Sequence, residues 1–148
     1  SIHNICHRNV LQLYAYDMNA KYPSPSSELV DGILVSMQFA AGHLFEIMQY
    51  SSTSRPNLAR KFFKQMISGI EALHAVGIIH GGLGPQHVFI DSNYTVKIDG
   101  VRWEKPVEDA WYTAPELMLN REYTEKCDIF SIGTLLFVLC AGYPPFEF

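Results

Sequence analysis

Apolar residues at Leu58, Phe62, Phe63, Met66, Ile67, Ile70 and Leu73 recur three and four positions apart, the spacing that lines one face of an α-helix. The pattern places the start of this helix at Asn57, whose short polar side chain suits an N-cap, and its end at Gly77. Ahead of it, Val10 to Tyr16 and Gly32 to Phe39 are rich in β-formers and predict two antiparallel strands. Between them Met18 to Asp31, punctuated by Pro23-Ser24-Pro25-Ser26-Ser27, predicts a long mobile loop. Gly42 followed by Leu44, Phe45, Ile47 and Met48 predicts a short amphipathic helix that Ser51 to Pro56 terminates. Ile78-Ile79, Val88-Phe89-Ile90 and Thr95-Val96-Lys97-Ile98 predict short strands, the last two joined by a turn at Asp91-Ser92-Asn93. An irregular stretch from Asp99 to Thr113 then leads to a helix near Pro115-Glu116 and to a buried helix from Asp128.

Composition narrows the function classes. The apolar run Ile129 to Ala141 is broken by Ser131, Gly133 and Thr134 and is too short to cross a bilayer, so it reads as a core helix. Hydrophobic residues make up 48% of the 148 residues, enough for one domain with its own core. The net charge of -4 offers no positive field to a phosphodiester backbone or an anionic lipid surface, so neither nucleic acid nor membrane is an expected partner. Cys6, Cys127 and Cys140 form no CxxC pair and are odd in number, which argues for a reducing, intracellular compartment, the cytoplasm, over a disulfide framework. No basic segment followed by an apolar core stands at the N-terminus, so no secretory signal is expected.

Several short motifs occur in a set order along the chain. His7-Arg8-Asn9-Val10 resembles an HPN-I turn, Met37-Gln38-Phe39-Ala40 a hinge segment, and Gly42-His43-Leu44-Phe45-Glu46 a GELFD helix start. Ile67-Ser68-Gly69-Ile70-Glu71-Ala72-Leu73-His74 resembles the end of a long helix that precedes a catalytic loop. Ala114-Pro115-Glu116 matches APE, Asp128-Ile129-Phe130-Ser131-Ile132-Gly133 matches DxWSxG, and Gly142-Tyr143-Pro144-Pro145-Phe146 matches GxPPF. A lone APE would carry little weight; the whole set in order is specific. Over nearly its full length the chain resembles the eukaryotic protein kinase domain, and its GxPPF end leans toward the calmodulin-dependent-kinase-like Ser/Thr branch. The resemblance implies an α+β fold, with a small-lobe remnant in residues 1–39, a mainly helical large lobe in residues 40–148, and a hinge near Gln38 to Ala41.

The family's chemistry needs an Asp to accept the hydroxyl proton, a Lys on the moving phosphate, and an Asn and a second Asp on magnesium. Against the family's HRDLKPEN, this chain reads His80-Gly81-Gly82-Leu83-Gly84-Pro85-Gln86-His87. Gly82 stands at the proton acceptor and has no side chain, which typically forfeits about 10²–10⁴-fold in rate. Gly84 stands at the phosphate-binding Lys, Gly81 at the Arg that meets a phosphorylated activation loop, and His87 at the metal-binding Asn. A neutral imidazole is a poor ligand for magnesium, which prefers oxygen. The DFG Asp position falls on Gly100, followed by Val101 and Arg102; Asp99 lies one residue early, and a one-residue slip in an extended segment turns a side chain to the other face. Asp99 is therefore expected as a solvated turn residue in preference to a metal ligand. Asp109 replaces the Thr that contacts the catalytic loop. Met37, Gln38, Ala40 and Phe89 take the adenine-pocket positions, and the Phe89 ring is expected to fill part of the space a purine would use.

The positions that hold the fold together are kept. By resemblance His80 links the catalytic loop to the core, Ile2 and Leu13 are apolar spine residues, and Asp128 accepts backbone N–H bonds from the loop. Glu116 is expected to be exposed or incompletely paired, since its family Arg partner would lie past Phe148. The position matched by Ser1 lies within the family's ATP-anchoring helix, about one turn past its Glu, so the Gly-rich loop, the anchoring Lys and that Glu are not among these residues. A fragment of a longer product or a truncated protein is expected, its two small-lobe strands having unpaired edges and an uncovered apolar face, mobile or prone to aggregate in isolation. A zinc site is not expected, because no third ligand converges on His80 and His87. Tyr112 is expected to pack in the core in preference to serving with Thr113 as a phosphosite, and Trp103 to Tyr112 reads equally as a docking surface or as ordinary packing.

These residues imply a kinase-fold domain without catalytic base or phosphate and metal residues, acting through a protein partner or by allostery, with no cofactor expected. The alternatives are an atypical Ser/Thr protein kinase that binds ATP and Mg, with Asp99 on the metal, and a non-functional truncated fragment.

Overall fold

The computed structural model describes residues 5–49, 56–100, 111–119, 122 and 124–146. Ile2, Asp109, Trp103 and the segment after Gly100 up to residue 110 lie outside the described residues. The chain begins with a two-stranded antiparallel sheet, β1 (Leu13–Pro23) and β2 (Leu29–Met37). Three short strands, β3 (Gly42–His43), β4 (Val88–Ile90) and β5 (Val96–Ile98), form a second antiparallel sheet in the order β3-β4-β5. The helices are α1 (Leu44–Gln49), α2 (Pro56–His74), α3 (Pro115–Met118) and α4 (Lys126–Ala141). The two long strands precede residue 40, and all four helices follow it together with the three short strands, which is the α+β class expected.

The segment expected as a long loop, Met18 to Asp31, is mostly strand. The turn shrinks to Ser24 through Glu28, closed by the Ser24 N–H donating to Glu28 C=O at 2.8 Å, with Ser27 in the left-handed region at φ 65°. Pro23 tolerates this position because it ends β1, where its missing N–H breaks no ladder. The pattern hid the strands because neither face of the hairpin is buried: in β1 only Leu13 is, while Tyr14, Tyr16, Met18 and Tyr22 are exposed, as are Leu29 and Leu34 in β2. Alternation is the mark of a strand with one wet face and one dry face, and this hairpin has no dry one. The apolar side chains of this hairpin are thus exposed to solvent on both faces.

Val10 and Leu11 do not belong to β1. They run beside β5 instead: the Ile98 N–H donates to Asn9 C=O at 2.9 Å and the Leu11 N–H to Ile98 C=O at 2.8 Å. The buried Asn9 amide completes this junction by donating to Val96 C=O (2.9 Å) and to Gln65 Oε1 (3.1 Å), which also accepts the Val96 N–H (2.9 Å). Helix α2 comes so close here that a Cβ on Gly69 would lie 2.6 Å from the Asn9 carbonyl oxygen.

Helix α2 carries the predicted face inward, with Phe62, Met66, Ile70 and Leu73 buried, each contributing about 1.5–3 kcal/mol of transfer free energy. Its first residue is Pro56, so Asn57 lies inside it and is no cap; a proline at the first helical position loses no hydrogen bond. The helix ends at His74, and Gly77, at φ 74°, turns the chain while the Ile78 N–H reaches back to Leu73 C=O at 3.0 Å. Ile78-Ile79, expected as a strand, is irregular, and among the described residues no strand pairs with it. The short helix begins at Leu44, not Gly42: Gly42 and His43 pair with Ile90 and Phe89 as β3. Helix α4 starts two residues ahead of Asp128 and closes on Gly142 at φ 82°; its Ile132, Leu135 and Leu139 join the α2 face and Leu83, Val88, Ile90, Val96 and Ile98 in one core.

Candidate functional site

The site is assembled around one buried carboxylate. Asp128, in the first turn of α4, is wholly buried and accepts the His80 N–H at 2.9 Å on Oδ2 and the Gly81 N–H at 2.8 Å on Oδ1. His74, the last residue of α2, places Nε2 2.7 Å from the same Oδ2 and Nδ1 3.8 Å from Glu125 Oε2. The Cys127 thiol lies 3.7 Å from Asp128 Oδ1. Burial, then the adjacent Asp128 charge, pushes that thiol up to about 12, so it is inert as a nucleophile. With this many donors the burial of Asp128 is offset, and two helices and a loop are pinned to one point. The role expected for Asp128 is the one its geometry shows. His74 was not foreseen; its place four residues after Ile70, at the edge of the buried face, was the available signal.

From this anchor the loop runs through Gly81, at φ 68°, a backbone conformation that strains any residue with a Cβ. Gly82 is half-buried and contributes no functional group, and Leu83 drops fully into the core. Gly84, Pro85, Gln86 and His87 form a 3-10 turn, with the His87 N–H donating to Gly84 C=O at 3.0 Å and Pro85 at its first position. A Cβ on Gly84 would meet the Gln86 side-chain amide, its oxygen at 2.5 Å.

Beyond the turn three titratable groups converge. The His87 Nδ1 lies 3.5 Å from Asp99 Oδ2, and its ring meets that of His80 edge to face with centroids 4.9 Å apart. His80 is 2% exposed. Burial first and the His87 imidazole second push its pKa down to about 4, against the opposite pull of Asp128 and Asp99. It is neutral at pH 7.

Asp99 is not the solvated turn residue expected: it is buried. The physical reason is that pairing continues one residue past β5, the Asp99 N–H donating to His87 C=O at 3.0 Å, which holds the residue in the sheet. The pair His87 and Asp99 brings one nitrogen and one carboxylate, a poor match to the octahedral oxygen shell that magnesium demands. Among the described residues no group of three His, Cys, Asp or Glu side chains is arranged to hold a metal ion.

The adenine-pocket positions flank the hinge. Met37 ends β2, the Gln38 N–H donates to Gln12 C=O at 2.8 Å, and Ala40 precedes Ala41, whose N–H donates to Ile90 C=O at 2.9 Å. Phe89 is half-buried, its ring packed on His43 with centroids 4.4 Å apart. Leu13 is buried. Glu116 is half-buried, and among the described residues no hydrogen bond or ion pair reaches its carboxylate. The Ser131 hydroxyl donates to Tyr112 C=O at 2.7 Å and also lies 3.1 Å from Cys127 C=O, and Tyr112 and Thr113 are both buried, which agrees with a packing role for Tyr112. Beside the loop an open groove of about 370 Å³ is lined by His43, Phe45, Glu46, Pro85, Gln86, Trp111 and Tyr112.

Comparison with known proteins agrees with this geometry. The protein kinase domain family matches residues 1–148. CBL-interacting protein kinase 29 of Oryza sativa subsp. japonica is 33% identical over 118 residues, 73% of this chain and 27% of that protein. CBL-interacting protein kinase 26 of the same plant is 33% identical over 157 residues, 95% of this chain and 29% of its own length. An Aurora kinase of Schizosaccharomyces pombe is 25% identical over 154 residues, 97% of this chain and 41% of the relative. The chain thus spans well under half the length of these relatives. Among the described residues no helix is long and apolar enough to cross a membrane. With the loop-to-core anchor at Asp128, the APE and GxPPF segments and a family match from end to end, the chain belongs to the protein kinase domain family.

Proposed function

We propose that this chain is a kinase-fold module that does not transfer phosphate and that serves, within its complete protein, as a protein-binding or allosteric element. One observation carries the reading: Asp128 holds the catalytic loop in place while Gly82, at the position of the proton acceptor, presents no side chain. Gly84 and Gly100 remove the phosphate-binding and metal-binding groups in the same way, and His87 is turned toward Asp99. Phosphoryl transfer in this family works through positioning and charge neutralisation, so losing these groups together removes most of what the fold supplies to the reaction. The partner proposed is a protein, with the Trp111-lined groove as contact surface; an exposed aromatic beside a concave surface is a common anchor. The net charge disfavours nucleic acid and membrane surfaces, and the free cysteines fit an intracellular site of action.

A second reading, an atypical Ser/Thr kinase that uses ATP and Mg, draws on the His87 and Asp99 pair, since an imidazole backed by a carboxylate can accept a proton. Thermal shift of the complete protein separates the two. The module reading expects no Mg-dependent stabilisation by ATP, whereas binding at 100 times Kd would add about 2.7 kcal/mol. Peptide phosphorylation above a contaminant-controlled background would overturn the proposal.

A further inference from the structure

No further inference is drawn: the strongest candidate, the exposed apolar surface of the β1–β2 hairpin around Tyr14, Tyr16, Leu29 and Leu34, carries nothing because nothing in the structure shows what covers it.

Discussion

The Gly81 N–H donates to Asp128 Oδ1 at 2.8 Å, so the loop that carries Gly82 and Gly84 is fastened to the core at the first turn of α4. This bond and its neighbour from His80 are requirements of folding: an unpaired buried carboxylate, or two unpaired buried N–H groups, would each be costly. Replacing Asp128 with Ala leaves both donors and the His74 imidazole without their acceptor. Asp128→Ala is expected to lose about 3–5 kcal/mol in urea denaturation of this chain, the range for breaking a buried charged network. A loss below about 1 kcal/mol would show that the loop has no need of this anchor.

Helix–loop contact at Gly69 gives a paired test. Gly69→Ala forces a methyl to within 2.6 Å of the Asn9 carbonyl, a backbone atom that cannot swing aside. The expected cost is about 1–3 kcal/mol even though alanine is the better helix former. At Gly133, also helical, a Cβ meets nothing within 4 Å, and Gly133→Ala should gain up to about 1 kcal/mol. Melting temperatures that move in the same direction for the two variants would contradict this account of α2.

Acid should destabilise the chain through His80. Its ordinary value is 6.5 and folding lowers it to about 4, so between these values the unfolded chain takes up a proton that the folded chain refuses. Its contribution is complete above pH 6.5 and is lost as the pH falls toward 4, with a slope approaching about 1.4 kcal/mol per pH unit. Across this range the denaturation midpoint of the parent is expected to fall with pH relative to that of His80→Phe. Parallel pH profiles would mean that His80 titrates normally in the folded state.

Restoring the loop alone should not restore chemistry. Gly82→Asp, Gly84→Lys and His87→Asn in combination return three groups to the family positions, yet Gly100 still has no carboxylate for magnesium. The expected phosphotransfer to a peptide is indistinguishable from that of the unmodified complete protein. Adding Gly81→Arg should destabilise by about 1–2 kcal/mol, because φ 68° is a left-handed backbone. Measurable ATP-dependent activity in the triple variant would show that Gly100 is no obstacle.

Periodicity alone determined α2, because its buried face repeats with the helix, and motif order determined the family and the loss of side chains at Gly81, Gly82 and Gly84. These properties are local in the chain. What the three-dimensional arrangement decided was where partners meet: that β1 and β2 pair to their tips with no dry face to betray them, that Val10 runs beside β5, and that His74 shares the Asp128 carboxylate. It also decided that Asp99 turns toward His87 and away from solvent, since one more rung of pairing beyond β5 depends on His87, twelve residues earlier. Contacts between residues distant in the chain leave no periodic trace in it, because either partner by itself would look the same with or without the other.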